Sequence, residues 1–246
     1  MRSKIWQFWL SIRTLVLAVA VALIFRTFAF EPFVIPSNSM QPNLLVGDFI
    51  FVSKFTYGYS AKNIAFGLPL YEGRTLGRDP KRGEVIVFRL PSDPSINFVK
   101  RIAGIPGDQI SVREGLLYVN ETPVAMERVG LTAPNEDTRA LTRYIETSIS
   151  GEAYEILKGT NAGPRNNTRT YQVPDGHYFV LGDNRDNSND SRGIVGFLPE
   201  ENILGRAQFI WLSLRDTRFW EFWRWPTHLR YARLFTPVHG LRDHHS

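Results

Sequence analysis

Between residues 48 and 181, short apolar runs alternate with clusters of glycine, proline and charge. Residues 48–55, 84–90, 97–103, 109–112 and 116–119 are rich in β-branched and aromatic side chains, and 79–83 and 105–108 interrupt them with turn formers. Runs of this length, bounded this way, predict strands. Arg113-Glu114-Gly115 has the composition of a hairpin turn. A second group of strands is predicted at 144–147, 154–157, 170–173 and 178–181. The stretches 121–143 and 158–169 are polar and turn-rich, which predicts a smaller β insertion over about 111–170. No internal repeat, low-complexity tract or helical periodicity of useful length competes with this pattern. The predicted class is predominantly β.

One predicted strand breaks its own rule. In Ser95-Ile96-Asn97-Phe98-Val99-Lys100-Arg101-Ile102-Ala103-Gly104, period-2 alternation puts Ile96, Phe98, Lys100 and Ile102 on one face. Lys100 is the only polar member of that row. A desolvated lysine has its charged form disfavoured and becomes a candidate general base near neutral pH. The plainer reading is a strand lysine whose stem covers apolar surface while its ammonium reaches water. Alternation alone leaves both open.

The N-terminus carries a different pattern. Residues 15–25 are wholly apolar and bracketed by Arg13 and Arg26. Such a run falls short of the roughly 20 residues needed to cross a bilayer and has the length of a signal-peptide core. It extends from about Ile5 to Phe30 if the two arginines snorkel, with Trp6 and Trp9 at one interface. Thr27-Phe28-Ala29 is a poor small-x-small cleavage site, so an uncleaved anchor is predicted. Arg2, Lys4 and Arg13 then place the N-terminus in the cytoplasm and everything after Phe30 on the far side. All six tryptophans lie near the termini, and Arg218-Phe219-Trp220-Glu221-Phe222-Trp223-Arg224-Trp225 mixes aromatics with arginine as interfacial segments do. Packing of that segment on the protein's own core is the equal alternative.

Composition adds exclusions. The 246 residues are 43% hydrophobic and 22% charged, enough for one large or two small folded units. The net charge of +5 suits an anionic membrane surface or nucleic acid, and no nucleic-acid motif accompanies it. Cysteine is absent, which excludes disulfides, thiolate nucleophiles and cysteine-ligated metals.

Three segments carry candidate chemistry. Ile35-Pro36-Ser37-Asn38-Ser39-Met40-Gln41-Pro42 follows the anchor, and its prolines predict a rigid, non-helical turn presenting two serines. Taken alone it reads equally as a linker out of the bilayer. The second segment is the Lys100 strand with Gly104-Ile105-Pro106-Gly107-Asp108. The third is Gly182-Asp183-Asn184-Arg185-Asp186-Asn187-Ser188-Asn189-Asp190-Ser191-Arg192-Gly193, a loop of short polar side chains after an apolar strand. It lacks the glycine and glutamate spacing of a calcium loop.

Together these segments resemble the signature boxes, in order, of the bacterial type I signal peptidases, also called leader peptidases. The resemblance takes in Phe30-Glu31-Pro32-Phe33, Gly47-Asp48 and Arg82-Gly83-Glu84, and covers most of residues 12–210. It implies a signal-peptidase-like fold: an N-terminal transmembrane helix (1–30), an antiparallel β-sheet catalytic domain (31–110 with 171–212), the β insertion (111–170) and an aromatic, basic C-terminal segment (213–246). By the same resemblance Ser39 corresponds to the nucleophile and Lys100 to the general base. Ser37 and the Ser39 N–H correspond to the oxyanion hole, and Ser188 to the serine that orients the lysine. Asp183, Arg185, Asp190 and Arg192 correspond to structural supports. Asn38 stands where many relatives have glycine.

The implied reaction is removal of signal peptides from exported preproteins, cutting after small residues at −1 and −3, at the outer face of the plasma membrane. Its implied partners are preprotein signal peptides, membrane lipids and the export machinery. No metal, cofactor or nucleic acid is implied. The residues agree with this reading, since no Asp/His pair stands in a recognisable context to activate a serine and a dry lysine can replace one. A self-cleaving repressor-type protein needs an Ala-Gly site upstream of the serine, and Ala103-Gly104 and Ala162-Gly163 lie downstream. None of the six lysines follows a serine at Ser-x-x-Lys spacing, as a penicillin-binding type requires. A silent, membrane-anchored peptide-binding module is the rival from another class.

Overall fold

The apolar runs pair into antiparallel sheets. The computed structural model describes residues 6, 9–19, 30–60, 74–75, 77–132, 141–159, 163 and 165–238. In chain order the strands are β1 (Phe30–Val34), β2 (Asp48–Ser53), a short pair β3 (Tyr59–Ser60) and β4 (Arg74–Thr75), β5 (Val85–Leu90) and β6 (Asp93–Gly104). Then come β7 (Gln109–Arg113), β8 (Leu116–Val119), β9 (Thr122–Pro123), β10 (Ala125–Leu131), β11 (Thr142–Thr147) and β12 (Ala153–Lys158). The chain closes with β13 (Tyr171–Gln172), β14 (His177–Leu181), β15 (Leu198–Pro199), β16 (Ile203–Ser213) and β17 (Thr236–Pro237). The largest sheet runs β1-β2-β16-β5-β6-β14-β15, with β17 beside β16. Strands β13-β7-β8-β9 and β10-β11-β12 form two smaller sheets.

Alternation divides the core. Val85 and Val87 of β5 pack with Ile50, Val52, Met40 and Leu44 on one side. Ile86 and Phe88 pack with Ile102, Tyr178 and Val180 on the other. Because both faces of β5 are covered, its sequence is almost continuously apolar. The predicted hairpin joins β7 to β8, where Arg113 faces Leu116. Glu114 and Gly115 both adopt positive φ, 50° and 74°, as a two-residue turn of this kind requires.

Several strands depart from the sequence expectation, and the two longest of them are β10 and β16. β10 lies inside the stretch expected to be polar turns; it is a sheet edge with mostly exposed side chains, so it needs few apolar residues. β16 pairs with both β2 and β5 but slips register three times, which erases the alternation by which a strand is read. At the N-terminus, residues 9–19 are helical. No described helix is long and apolar enough to cross a membrane, and half of the expected span from Ile5 to Phe30 lies outside the described residues.

Buried ion pairs stitch β11 and β12 to the polar loop after β14. Arg185 Nη1 and Nη2 donate to Glu146 Oε2 and Oε1 at 2.7 and 2.5 Å, and Tyr154 Oη donates to Glu146 Oε1 at 2.6 Å. Arg101 lies 3.9 Å over the Tyr154 ring and grips Asp183 with two bonds of 2.7 Å. Leu157 N donates to Asp183 O and Arg185 N to Leu157 O, both at 2.9 Å. Burial alone would raise the Glu146 carboxyl; Arg185 and Tyr154 outweigh it and hold the pKa below its ordinary value. Removing one partner of such a pair strands the other. Glu146→Gln is therefore expected to cost about 3–5 kcal/mol, read from the urea midpoint of the detergent-solubilised protein. An unchanged midpoint would show that Arg185 is satisfied without Glu146.

Candidate active site

Ser39 sits on a single 3-10 turn, Asn38–Met40, not in the non-helical turn expected from the prolines. The prolines act at its ends instead. Ser37 is extended (φ −135°, ψ 160°) and caps the turn, while Gln41, which precedes Pro42, is driven to ψ 144° and stops it. Met40 plugs the core beneath. From the polar loop, Asn184 N donates to Ser39 O at 3.0 Å and Asn184 Nδ2 to Asn38 O at 3.2 Å. As the second residue of a one-turn helix, Ser39 has a backbone N–H with no carbonyl of that turn to reach.

The row predicted for β6 brings Lys100 to this turn. Lys100 pairs across the sheet with Ile86 and is only 3% exposed. Its Nζ donates to Ser39 Oγ at 2.7 Å and to Val99 O at 2.9 Å, and lies 5.2 Å from the centre of the Phe98 ring. Ser37 Oγ stands 3.2 Å from Ser39 Oγ. Ile96, at the outer end of the row, is exposed where the sheet no longer covers it. Burial lowers the Lys100 pKa from 10.5 to about 8, with the charges of Asp190 and Asp183 pulling weakly the other way. Each of those carboxylates faces an arginine of its own: Asp183 the guanidinium of Arg101, Asp190 that of Arg192 at 2.7 Å.

The polar loop is a framework. Asp190 also accepts from Gly182 N at 3.1 Å, and Arg192 Nη2 donates to Arg185 O at 2.6 Å. Gly182 is pressed between Ser188 and Ser39: a Cβ there would stand 2.1 Å from Ser188 Oγ and 2.6 Å from Ser39 O. Ser188 is buried beside the same cleft, but its Oγ has no hydrogen-bond partner, and the bond by which it would orient Lys100 is not formed. Val99 O holds the ammonium instead. Asn184, Glu146 and Tyr154 join the site, although the sequence pattern does not single them out. Asn184 is legible to the extent that it stands within the polar loop. Glu146 and Tyr154 read as ordinary strand positions until β11 and β12 are placed.

The site opens into a cleft of about 1230 Å³ between residues 34–40 and 96–100, with Asp186, Ser188 and Arg165 along its rim. Both walls are strand edges. β1 ends the large sheet, and β6 pairs with β14 only from Arg101 onward, so Asn97 to Val99 pair with β5 on one side only. Among the described residues no group of three or more His, Asp or Glu could hold a metal ion.

Residues 8–212 match the family model described as "Signal peptidase, peptidase S26". The chain is 41% identical to a signal peptidase I of Rickettsia typhi over 211 residues, covering 82% of this chain and 79% of that protein. Identity to the signal peptidase I of Rickettsia canadensis is 40% with the same coverage. A crystal structure of a signal peptidase I from Enterococcus faecalis aligns with 52% of this chain and 97% of that one, at 24% identity and a TM-score of 0.32. With a family match over most of its length and close relatives throughout, the chain belongs to the signal peptidase family, peptidase S26.

Proposed function

We propose that this chain is a membrane-bound serine endopeptidase that removes signal peptides from preproteins, with Ser39 as nucleophile and Lys100 as general base. The observation that carries the assignment is a dehydrated lysine 2.7 Å from a serine hydroxyl at the floor of an open cleft. Neutral Lys100 takes the Ser39 proton as Oγ bonds to the scissile carbonyl carbon. The oxyanion is met by the Ser39 N–H and the Ser37 hydroxyl, each worth about 3 kcal/mol where such donors have been removed. The Lys100 ammonium returns its proton to the leaving amine, which frees an acyl-enzyme. Water then attacks the ester as Lys100 takes its proton, and the ammonium passes that proton to Ser39 Oγ as the ester C–O bond breaks, which releases the acyl fragment as its carboxylate. Ser188 Oγ, buried and unpartnered, is the acceptor we assign to the ammonium while it is charged.

An extended peptide can add a strand to the free edges of β1 and β6. The wall from Ile35, Met40 and Phe98 is apolar and suits the small residues at −1 and −3. Phe30, at the start of β1, stacks edge-on to Phe51 and Phe55 at 6.2 and 5.5 Å. Phe51 continues to Phe209 and Trp211, and Phe49 to Phe219. Beyond them Trp220 and Trp223 are exposed, with Arg218 5.4 Å from the Trp220 ring. This aromatic face adjoins the end of the apolar N-terminal segment, which supports a bilayer lying against it. Part of the C-terminal segment packs on the protein, as Phe219 does on Phe49, and the outward-facing Trp220 and Trp223 are the residues we assign to the bilayer surface.

The direct test is cleavage of a purified preprotein by wild type and Ser39→Ala, with the product N-terminus sequenced; cutting after a small-x-small site by wild type alone is expected. Lys100→Met is expected to keep the fold, because methionine suits the apolar row beside Phe98, and to reduce cleavage to background. Turnover by that variant would remove Lys100 from the mechanism. Since the base works deprotonated, kcat/KM is expected to rise with pH through about 8; a rate flat across that range would exclude a lysine base. Topology is testable because the chain has no cysteine of its own. In intact cells a membrane-impermeant maleimide is expected to label Asp175→Cys, in an exposed turn, and not Ser3→Cys. The reverse pattern would invert the orientation.

A further inference from the structure

The loop that carries Ser39 is held at its far end by a segment outside the family match. Residues 213–238 follow the last matched residue, 212, and fold back against residues 43–48. Leu214 N donates to Gly47 O at 2.9 Å. Gly47 has φ +85°, and a Cβ on it would stand 2.0 Å from Leu214 O, so only glycine allows this approach. Arg230 Nη1 donates to Val46 O at 3.0 Å.

Arg233 makes the widest span. Its Nε and Nη2 grip the buried Asp48 carboxylate at 3.1 and 2.6 Å, and Nη2 also donates to Asn43 O at 2.8 Å. Asp48 Oδ2 accepts Leu45 N–H at 2.8 Å as well, so guanidinium and loop backbone share one carboxylate. Asn43 turns its side chain inward: Nδ2 donates to Asp183 Oδ2 and Glu155 O, both at 2.7 Å. Leu44 N donates to Met40 O at 2.9 Å, which ties the same loop to the turn bearing Ser39. A continuous set of polar contacts therefore runs from Arg233 through Asn43 and Asp183 to Arg101, the neighbour of Lys100.

We propose that Arg233 is a positioning residue for the peptidase reaction: by spanning Asn43 and Asp48 it sets the height of the Ser39 turn against Lys100. The proposal rests on the Ser39–Lys100 pair performing the chemistry. A segment that merely tidied the chain end would have no need to clasp the middle of the nucleophile loop at Asn43 and its far end at Asp48 with one fork, and a lysine could not reproduce that geometry.

The test uses the full chain in detergent, its active serine titrated with a serine-directed phosphonate, on a peptide carrying a small-x-small site. Misplacement by about 1 Å can cost on the order of 100-fold. Arg233→Gln is accordingly expected to lower kcat per titrated serine by on the order of 10-fold or more. KM is expected to stay unchanged, and so is the pH midpoint, because burial, the cause that lowers the Lys100 pKa, does not involve Arg233. Should that variant not fold, Arg233→Lys, which keeps a cation on Asp48 without the fork, is expected to show part of the same fall. Full kcat per titrated serine in a folded variant, with only Tm lowered, overturns the proposal. Ser39→Ala run alongside separates the two claims. Cleavage retained there removes the serine–lysine pair and the proposal with it, whereas cleavage lost there beside full activity in Arg233→Gln removes the positioning role alone.

Discussion

Everything at this site depends on keeping one amine dry. Lowering the Lys100 pKa from 10.5 to about 8 corresponds to roughly 3 kcal/mol in favour of the neutral form. Burial supplies it, and burial is easily undone by charge. Asp183 and Asp190 lie close enough to favour the ammonium, and in a low-dielectric interior an unpaired carboxylate would do so strongly. Each is paired with an arginine, and burial outweighs the pull that both carboxylates exert on Lys100. The buried charged residues of the polar loop are each paired, Asp190 with Arg192 inside the loop, Asp183 with Arg101 of β6 and Arg185 with Glu146 of β11, which makes a rigid, hydrogen-bonded framework around Lys100.

The same framework places the other reactant. Asn184 holds the carbonyls of Asn38 and Ser39, Gly182 leaves room for Ser188 and the Ser39 carbonyl, and Asn43 bonds directly to Asp183. Glu146 and Tyr154 brace the loop from β11 and β12. The strands outside the large sheet thus contribute a wall of the catalytic framework. A dry lysine, a largely buried serine lining the cleft and two strand edges then coexist at one site, although an unpaired edge is ordinarily a liability. Here the edges are where a substrate can bind.

Much of this is legible in the order of the amino acids. The period-2 row of Ile96, Phe98, Lys100 and Ile102 marks a lysine on an apolar face, and the order of the three polar boxes points to its serine. Four of the eight strands of the large sheet, β2, β5, β6 and β14, stand out because one or both of their faces are buried, which leaves apolar runs in the chain. What stays hidden has physical causes. β16 is bulged, so its side chains do not alternate. β10 is an exposed edge, and its polar sequence looks like a loop. The 3-10 turn at Ser39 is too short to leave a periodic trace. The ion pairs of Glu146 and Arg233 join residues 39 and 185 positions from their partners, and no local pattern records such a meeting.

The most direct measurement is the titration of the Lys100 amine itself, followed by nitrogen-15 NMR of lysine side chains in the Ser39→Ala protein, with Lys100→Met to assign the signal. With five other lysines in the chain, the Lys100 resonance is the one that differs between the two samples. A midpoint near 8 is the result that a buried amine acting as the proposed base requires. A midpoint at the ordinary value of about 10.4 would mean that the amine is hydrated and charged at working pH, and would contradict the account at its centre.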